Sequence, residues 1–421
     1  LFAWATWVVS RDRLPTPLRL AAVSYIALLT FCPRTLGSSA ISYVATYNKH
    51  GWALVCIVAL GVLLVPEQRS TRQRNLEIAV LSMCTILAFH LKITYFILSG
   101  FLLLVGLTAG RGQRHVVLGA GLSAGALLGL STLVGSNNLA YLADMQRAAA
   151  SIVNPGGVVR LDRLLPVLFG NDVSLLGFVV FSIWSLRSCL TVEEQQGVSN
   201  DLARLMVALG GCVLIATQSH DVTVPVMPVV GLACFAMLRA RMLMRTDTTS
   251  GAVNLLGAAV LAMIAVPMGR DVLAIGIHTA RAFSGSSPLA AGEPRLSAIR
   301  VPSGQGPTLL AEVMKGTLPG DQFDNRATAT WPMDNGPIIV DGLELLRAHE
   351  LSGARIGSLT FSPMFSWILQ APVPRLQPAW LDYGRTFSED SVGPVDLQFA
   401  ELDVVMVPKV WRIQGVWEAY G

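Results

Sequence analysis

The chain has 421 residues, a formal net charge of +4, 52 % apolar residues and only 14 % charged residues. A soluble domain carries about 25 % charged residues, so the composition argues against a protein that is soluble throughout. The small net charge, without a basic stripe interleaved with aromatic residues, also argues against a nucleic-acid partner. Residues 1–284 hold 21 Lys and Arg against 12 Asp and Glu, whereas residues 285–421 hold 10 against 15. The two parts are therefore expected to meet different solvents.

Apolar runs recur along the first two thirds of the chain and predict a polytopic α-helical membrane domain of about ten spans. The first run covers only about 15 Å, half of a bilayer core. We therefore expect the sequence to open inside a helix, with further protein upstream. Most runs are shorter than 20 residues, which implies local thinning of the bilayer or neighbours that cover polar ends. The runs are Leu1–Ser10, Leu18–Phe31, Trp52–Val65, Leu76–Phe89, Thr94–Ala109, Val116–Val134, Val173–Leu186, Leu202–Ile215, Val222–Leu238 and Val253–Met268.

The distribution of arginines predicts the orientation of these spans. Positive charge gathers on the cytoplasmic side, and alternate loops divide the cations into a set of 11 and a set of seven. The larger set marks the cytoplasmic side, so residues 285–421 are expected outside. A further helix within Pro33–Thr46 would shift the parity of the earlier spans only. The larger set comprises Arg11, Arg13, Arg69, Arg72, Arg74, Arg111, Arg114, Arg187, Arg239, Arg241 and Arg245.

Leu76–Ala109 predicts a helical hairpin with arginines on both sides and His90 and Lys92 at its outer tip. Two helices of about 17 residues reach about 25 Å, enough for a thin core. Further along, Gly121, Gly125 and Gly129 recur every four residues, which predicts a face for close helix contact. The six cysteines lie in or beside apolar runs without CxxC spacing, which favours helix packing over a metal, redox or disulfide role.

The C-terminal part predicts a second domain. Residues 1–281 form the multi-span domain, residues 282–305 are rich in Gly, Ser, Pro and Ala and predict a linker, and residues 306–421 predict a small extracytoplasmic α/β domain.

Within that domain, Asp341–Leu351 shows helical spacing of apolar residues. Ala354–Phe361 and Leu402–Val407 predict strands, the second of them buried. Between the strands, Pro372–Phe387 predicts an aromatic-rich loop that faces the membrane domain.

Polar residues at membrane depth are candidates for function, and under this topology they fall mainly on the outer rim. A wet cavity with cationic and amide groups suits a lipid-linked phosphate, because phosphate binding favours pre-placed Lys and Arg donors. No complete catalytic or metal-binding motif occurs where its mechanism would need it. The candidate substrate-binding residues are His90, Lys92, Tyr47, Asn48, Lys49, Gln218, His220, Asp221, Tyr383 and Arg385.

Each candidate also has a purely structural interpretation. Tyr47–His50 suits an interfacial anchor before Trp52, and Lys92 suits a side chain that snorkels to the headgroups. Asp221 suits a cap in a short turn between two spans. Leu139–Val153 predicts a helix that either lies flat on the outer interface or contacts substrate.

Several stretches resemble a bacterial branch of the GT-C superfamily of integral membrane glycosyltransferases. They are Tyr47–Trp52 (YNKHGW), Phe89–Phe96 (FHLKITYF), Thr217–Asp221 (TQSHD), Tyr383–Phe387 (YGRTF) and Asp403–Lys409 (DVVMVPK). The resemblance also covers the order of the two domains, with many uneven spans before an outer soluble domain, and so extends over most of the chain.

The resemblance implies an inverting transfer on the outer face of the bacterial inner membrane. The donor would be a sugar on a polyprenyl phosphate, and the acceptor an envelope lipid, glycan or protein. An Asp or Glu in the first outer loop usually acts as general base. We expect that loop upstream of Leu1, so no catalytic residue is assigned. His90 and Lys92 would hold the donor phosphate. Members often hold a divalent metal ion, for which this chain offers no acidic pair, and the resemblance predicts no oligomeric state.

Two other functions remain open. A transporter or flippase for a lipid or glycan would show paired, broken helices in two related halves, and no convincing repeat is present. A non-catalytic envelope-assembly protein of the same fold would lack the base.

Overall fold

The computed structural model describes residues 1–32, 46–64, 66, 70–150, 192–217, 225–226, 228–233, 260–261, 264–265, 268–277, 279–280, 286–288, 295, 300–302, 339–358, 364–374 and 399–407. The chain divides into two compact units. The first comprises Leu1–Asn138 and Val159–Ile275, and the second comprises Leu139–Val158 and Gly276–Gly421. The main helices are α1 (Phe2–Ser10), α2 (Thr16–Phe31), α3 (Thr46–Leu63), α4 (Thr71–Leu91), α5 (Ile93–Gly106), α6 (Arg111–Leu133), α7 (Asn138–Ala150) and α8 (Val192–Ala216).

Helix α3 is the centre of the first unit. Residues 52–64 are buried on every side of the helix, as expected of a helix that is apolar all round. Helices α1, α2, α4 and α5 pack against it. Trp52, Ile57 and Leu60 are among its fully buried side chains.

Local sequence explains where α4 begins and ends. The hydroxyl of Ser70 accepts a hydrogen bond of 3.1 Å from the backbone N–H of Gln73, which caps the first turn. At the other end, Lys92 adopts an extended conformation with φ −168° and ψ 128°, and α5 begins directly after it. The predicted hairpin with Lys92 at its tip is thereby confirmed.

Two described helices are long and apolar enough to cross a membrane by length and composition, namely Thr71–Leu91 and Gly112–Leu133. Shorter apolar helices accompany them at Thr16–Phe31, Tyr47–Leu63, Ile93–Gly106 and Ala203–Ala216. The full set of ten spans stays a prediction, because runs such as Val173–Leu186 lie outside the described residues.

The predicted glycine contact face has no partner among the described residues. A Cβ added at Gly121, Gly125 or Gly129 would meet no described atom within 4 Å. Helix α6 instead meets α4 at Gly119, where a Cβ would lie 2.8 Å from Ile78 Cδ1. The four-residue spacing correctly defines one face of a helix, but it does not say which face has a neighbour.

The second unit contains two described pairs of strands. Strands β1 (Ser286–Pro288) and β2 (Arg300–Pro302) are antiparallel and lie within the stretch 282–305, which the composition predicts as a linker. Strands β3 (Ile356–Ser358) and β4 (Val404–Met406) are parallel, with Ile356 opposite Val404. Parallel strands need a long crossover, and α9 (Phe365–Leu369) lies within this one.

A small hydrophobic core supports the parallel strands. Residues 339–348 are helical, which confirms the predicted helix. Leu343 and Leu346 from this helix pack with Ile356 of β3 and with Phe365 and Ile368 of α9. The two helices and β3 therefore share one buried layer, and the α/β domain over residues 306–421 stays a prediction.

The burial of β4 differs from the prediction, which places this strand, and not β3, in the core. All three residues of β3 are buried, whereas β4 is only partly buried and Val405 is 37 % exposed. The apolar run of β4 carries no alternation from which an exposed face could be predicted.

An exposed ion pair joins the two strands at their start. The Arg355 guanidinium lies 3.2 Å from the Asp403 carboxylate, and Asp403 also accepts the backbone N–H of Arg355 at 2.8 Å. Hydrogen bonds from the Arg355 side chain and backbone lower the pKa of Asp403 below its ordinary value. The pair therefore contributes stability above about pH 4, and this contribution is lost as the pH falls through the folded-state pKa.

Candidate functional site

Four side chains meet where the first turn of α3 faces the bend between α4 and α5; we call them the rim cluster. They are Tyr47, Asn48, Lys92 and Tyr95. Asn48 is 7 % exposed, and its Oδ1 accepts hydrogen bonds from Lys92 Nζ at 3.2 Å and from Tyr95 Oη at 3.1 Å. Lys92 Nζ also lies 5.4 Å from the centroid of the Tyr47 ring and 5.8 Å from that of Tyr95. Both distances suit a cation–π contact.

The local sequence accounts for this arrangement. Lys92 directly precedes α5 and Tyr95 lies in its first turn, so the two side chains start close together. Gly51 allows the Tyr95 ring to reach α3, since a Cβ at this position would lie 2.2 Å from Tyr95 Cδ2. Trp52 then packs edge-on against the same ring, with 5.7 Å between centroids. The glycine therefore sets the distance between α3 and α5 at the rim cluster.

The residue types of the rim cluster suit an anion. The neutral Asn48 side chain accepts from the Lys92 ammonium, and the neutral rings of Tyr47 and Tyr95 flank it, so these three residues orient the ammonium. An oriented ammonium with aromatic walls suits an oxyanion such as phosphate. Divalent cations take carboxylate and carbonyl oxygens, and the rim cluster contains no carboxylate. Among the described residues, no three His, Cys, Asp or Glu side chains form a group that could hold a metal, so the metal implied by the resemblance finds no fit there.

The other predicted residues divide into two groups. Lys49 is 4 % exposed and donates to the Cys32 carbonyl, and His90 is exposed with its ring edge-on to Phe89. No described residue forms a hydrogen bond or ion pair with His90, so the structure does not bring it into the rim cluster. The remaining predicted residues lie outside the described part of the chain, namely Gln218, His220, Asp221, Tyr383 and Arg385.

Sequence reasoning missed three residues on the facing sides of α3 and α5. Tyr95 belongs to the rim cluster itself. Trp52 lies one turn below Asn48, and Ser99 lies one turn below Tyr95. Trp52 Nε1 and Ser99 Oγ are buried and make no hydrogen bond within the described residues, although an unsatisfied buried polar group costs about 1–3 kcal/mol. The four-residue spacing from Asn48 and Tyr95 is the signal that would have found them.

A second polar cluster lies at the opposite end of α3, roughly 20 Å from Asn48 at 1.5 Å per residue. Arg13 and Glu77 form an ion pair of 2.9 Å with both side chains fully buried. Gln73 Nε2 donates to Glu77 Oε1 at 3.2 Å and to the Val8 carbonyl at 2.9 Å. The expectation that polar groups fall mainly on the outer rim is therefore incomplete, because Arg13 had been read only as a loop cation.

The Arg13–Glu77 pair ties together several helices. The Arg13 guanidinium also donates to the carbonyls of Val9 and Gly61, and Gln113 of α6 donates to the same Gly61 carbonyl. Four helices are thus linked at this end, where the predicted cytoplasmic arginines gather.

Comparison of the chain with protein-family models, with curated proteins and with solved structures gave no match.

Proposed function

We propose that the chain is an integral membrane protein that binds the phosphate of a polyprenyl-linked sugar at the rim cluster and takes part in transfer of that sugar. The observation that carries this proposal is the Lys92 ammonium, oriented by Asn48 and flanked by the rings of Tyr47 and Tyr95. The transfer step rests on the resemblance to GT-C glycosyltransferases. The binding step rests on the chemistry of the rim cluster.

In the proposed reaction, an acceptor hydroxyl attacks the anomeric carbon of the donor sugar. The bond between that carbon and the phosphate oxygen breaks, and polyprenyl phosphate leaves with the electron pair. The hydroxyl proton passes to a base, which the resemblance assigns to an acidic residue of the first outer loop. Lys92 would stabilise the charge that develops on the leaving phosphate, a type of contact whose loss costs about 10²–10³ in rate.

The proposed location is the bacterial inner membrane, with the rim cluster and residues 306–421 on the outer side. Lys49 and Lys92 belong to the smaller set of cations, whereas Arg13 lies at the other end of α3 together with Gln73. This separation agrees with the positive-inside rule if the rim cluster faces outward.

A transporter of the same lipid-linked substrate is the second candidate. The fully buried Arg13–Glu77 pair favours it, since ionisable residues at membrane depth commonly mark a substrate or ion path. A transporter would bind the lipid phosphate and move it without breaking the sugar–phosphate bond.

The test begins with binding by the purified full-length protein. Polyprenyl monophosphate is titrated while the melting temperature is followed, because a ligand specific for the folded state stabilises it by about 2.7 kcal/mol at 100 times its Kd. We expect Lys92→Ala to abolish the shift and Lys92→Arg to retain part of it. Arg74→Ala, an exposed change at the other end of α4, is the control and should leave the shift intact.

A second measurement separates transfer from transport. The purified protein is given a radiolabelled polyprenyl-phosphate sugar with an extract of envelope acceptors, and release of polyprenyl phosphate is followed. Release that Lys92→Ala slows by 10²–10³ supports the transferase. Binding without release favours the transporter or an assembly protein, and absence of any binding removes the proposal.

A further inference from the structure

A groove between α4 and α6 is not used by the proposed function. The helices approach closely at one point, where Gly119 leaves room for Ile78 and the Ser82 hydroxyl donates to the Ala120 carbonyl at 3.1 Å. Beside this contact the groove has a volume of about 420 Å³. Its lining includes Ala79, Ser82, Met83 and Ile86 of α4 with Ser123 and Leu127 of α6.

The length of the groove along α4 is close to the thickness of one leaflet of a bilayer core. Its lining extends along α4 from Asn75 to Leu87, which is about 18 Å at 1.5 Å per residue. Half of a bilayer core measures about 15 Å. The two helices that form it are also the two described helices that meet the criteria for a membrane span.

Helical periodicity places an arginine one turn beyond Asn75, which is the first α4 residue of the groove lining. Arg72 is exposed and stands three residues before Asn75, on the side of α4 that also carries Ala79 and Met83. No ion pair joins Arg72 to a described residue. A guanidinium offers a planar fork of donors that matches phosphate, so the end of the groove carries a charge complementary to an anionic headgroup.

We propose that this groove binds an anionic glycerophospholipid, with one acyl chain between α4 and α6 and the phosphate at Arg72. Basic sites between spanning helices bind anionic headgroups in this manner. The inference requires that the chain spans a membrane, but it does not depend on sugar transfer.

Native mass spectrometry of the purified full-length protein tests the inference. The protein is titrated with phosphatidylglycerol and, separately, with phosphatidylcholine of the same acyl composition. We expect a preference for phosphatidylglycerol of about fivefold, the effect of one surface cation. Arg72→Ala should remove the preference, whereas Arg74→Ala on another side of α4 should preserve it.

A second pair of variants tests the groove itself. Ala79→Leu fills it and should reduce binding of both lipids, whereas Ala126→Leu, exposed on α6 outside the lining, should not. Ser123→Leu repeats the test from α6, should Ala79→Leu fail to fold. Equal retention of the two lipids, or an unchanged preference in Arg72→Ala, would overturn the proposal. So would a dimer that dissociates in Ala79→Leu, since it would assign the groove to a second copy of the chain.

Discussion

At the scale of single residues, Gly51 determines whether the rim cluster can form. A methyl group there would lie 2.2–2.7 Å from the Tyr95 ring, and the ring is confined because Trp52 packs against it. We predict that Gly51→Ala destabilises the protein by about 1–3 kcal/mol, the usual cost of overpacking, and displaces the Tyr95 hydroxyl from Asn48. Thermal unfolding in detergent measures the first effect, and lipid-phosphate binding measures the second.

Gly100 provides the matched control within α5. A Cβ at this position would meet no described atom within 4 Å, so Gly100→Ala should be neutral or stabilising by up to about 1 kcal/mol. In a Tyr95→Ala background, Gly51→Ala should cost less stability than in the unsubstituted protein, because the ring that the new methyl group would meet is absent. Equal unfolding temperatures for Gly51→Ala and Gly100→Ala would contradict the close approach of α3 and α5.

At the scale of helices, the Arg13–Glu77 pair is expected to hold α1 against α4. Removing one member of a buried pair leaves a charge without its partner and costs about 3–5 kcal/mol. We therefore predict that Glu77→Gln lowers thermal stability strongly, whereas Arg13→Met combined with Glu77→Leu is close to neutral. Thermal unfolding of Arg13→Met, Glu77→Leu and the double variant, beside the unsubstituted protein, forms a complete mutant cycle, and Glu77→Gln is measured separately.

The neighbouring Arg11–Asp12 contact provides the control, because removing its carboxylate changes the net charge by the same amount without affecting a buried pair. It measures 3.7 Å with more than half of each side chain exposed, so Asp12→Asn should change stability by less than about 1 kcal/mol. Asn is chosen because Asp12 has a positive φ of 59°, which Asn tolerates. A loss in Glu77→Gln no larger than this would show that the pair is not structurally important.

The helices themselves were largely predictable, because their hydropathy depends on local sequence. The hairpin around Lys92 and the helix at 339–348 lie where the apolar pattern indicates. The contacts were not predictable in the same way. The Arg13–Glu77 pair joins residues 64 positions apart, and only knowledge of which helices are neighbours would reveal it. The exposure of β4 was missed for the same reason.

At the scale of the whole molecule, the orientation in the membrane is the main untested expectation. We predict that His90→Cys and Val373→Cys, both exposed, react with a membrane-impermeant maleimide in intact cells. Arg74→Cys should react only after the membrane is permeabilised. Alkylation of the chain with its six native cysteines gives the background, and the four that the structure describes, Cys32, Cys56, Cys84 and Cys212, are buried.

Each alternative pattern has a defined meaning. Labelling of Arg74→Cys alone in intact cells would invert the proposed topology. Labelling of His90→Cys without Val373→Cys would contradict the predicted position of residues 306–421 outside, which the resemblance to glycosyltransferases implies.

The buried ion pair also constrains the order of events during biosynthesis. Arg13 emerges from the ribosome 64 residues before Glu77, and synthesis proceeds at about 5–20 residues per second. For roughly 3–13 s, therefore, Glu77 is not yet available to offset the desolvation of Arg13. During this interval the free energy is lower if α1 stays where Arg13 contacts water or lipid headgroups. Helix α1 would then pack against α4 only once α4 has been synthesised. Chaperones or insertases could bind the nascent chain during the interval before that.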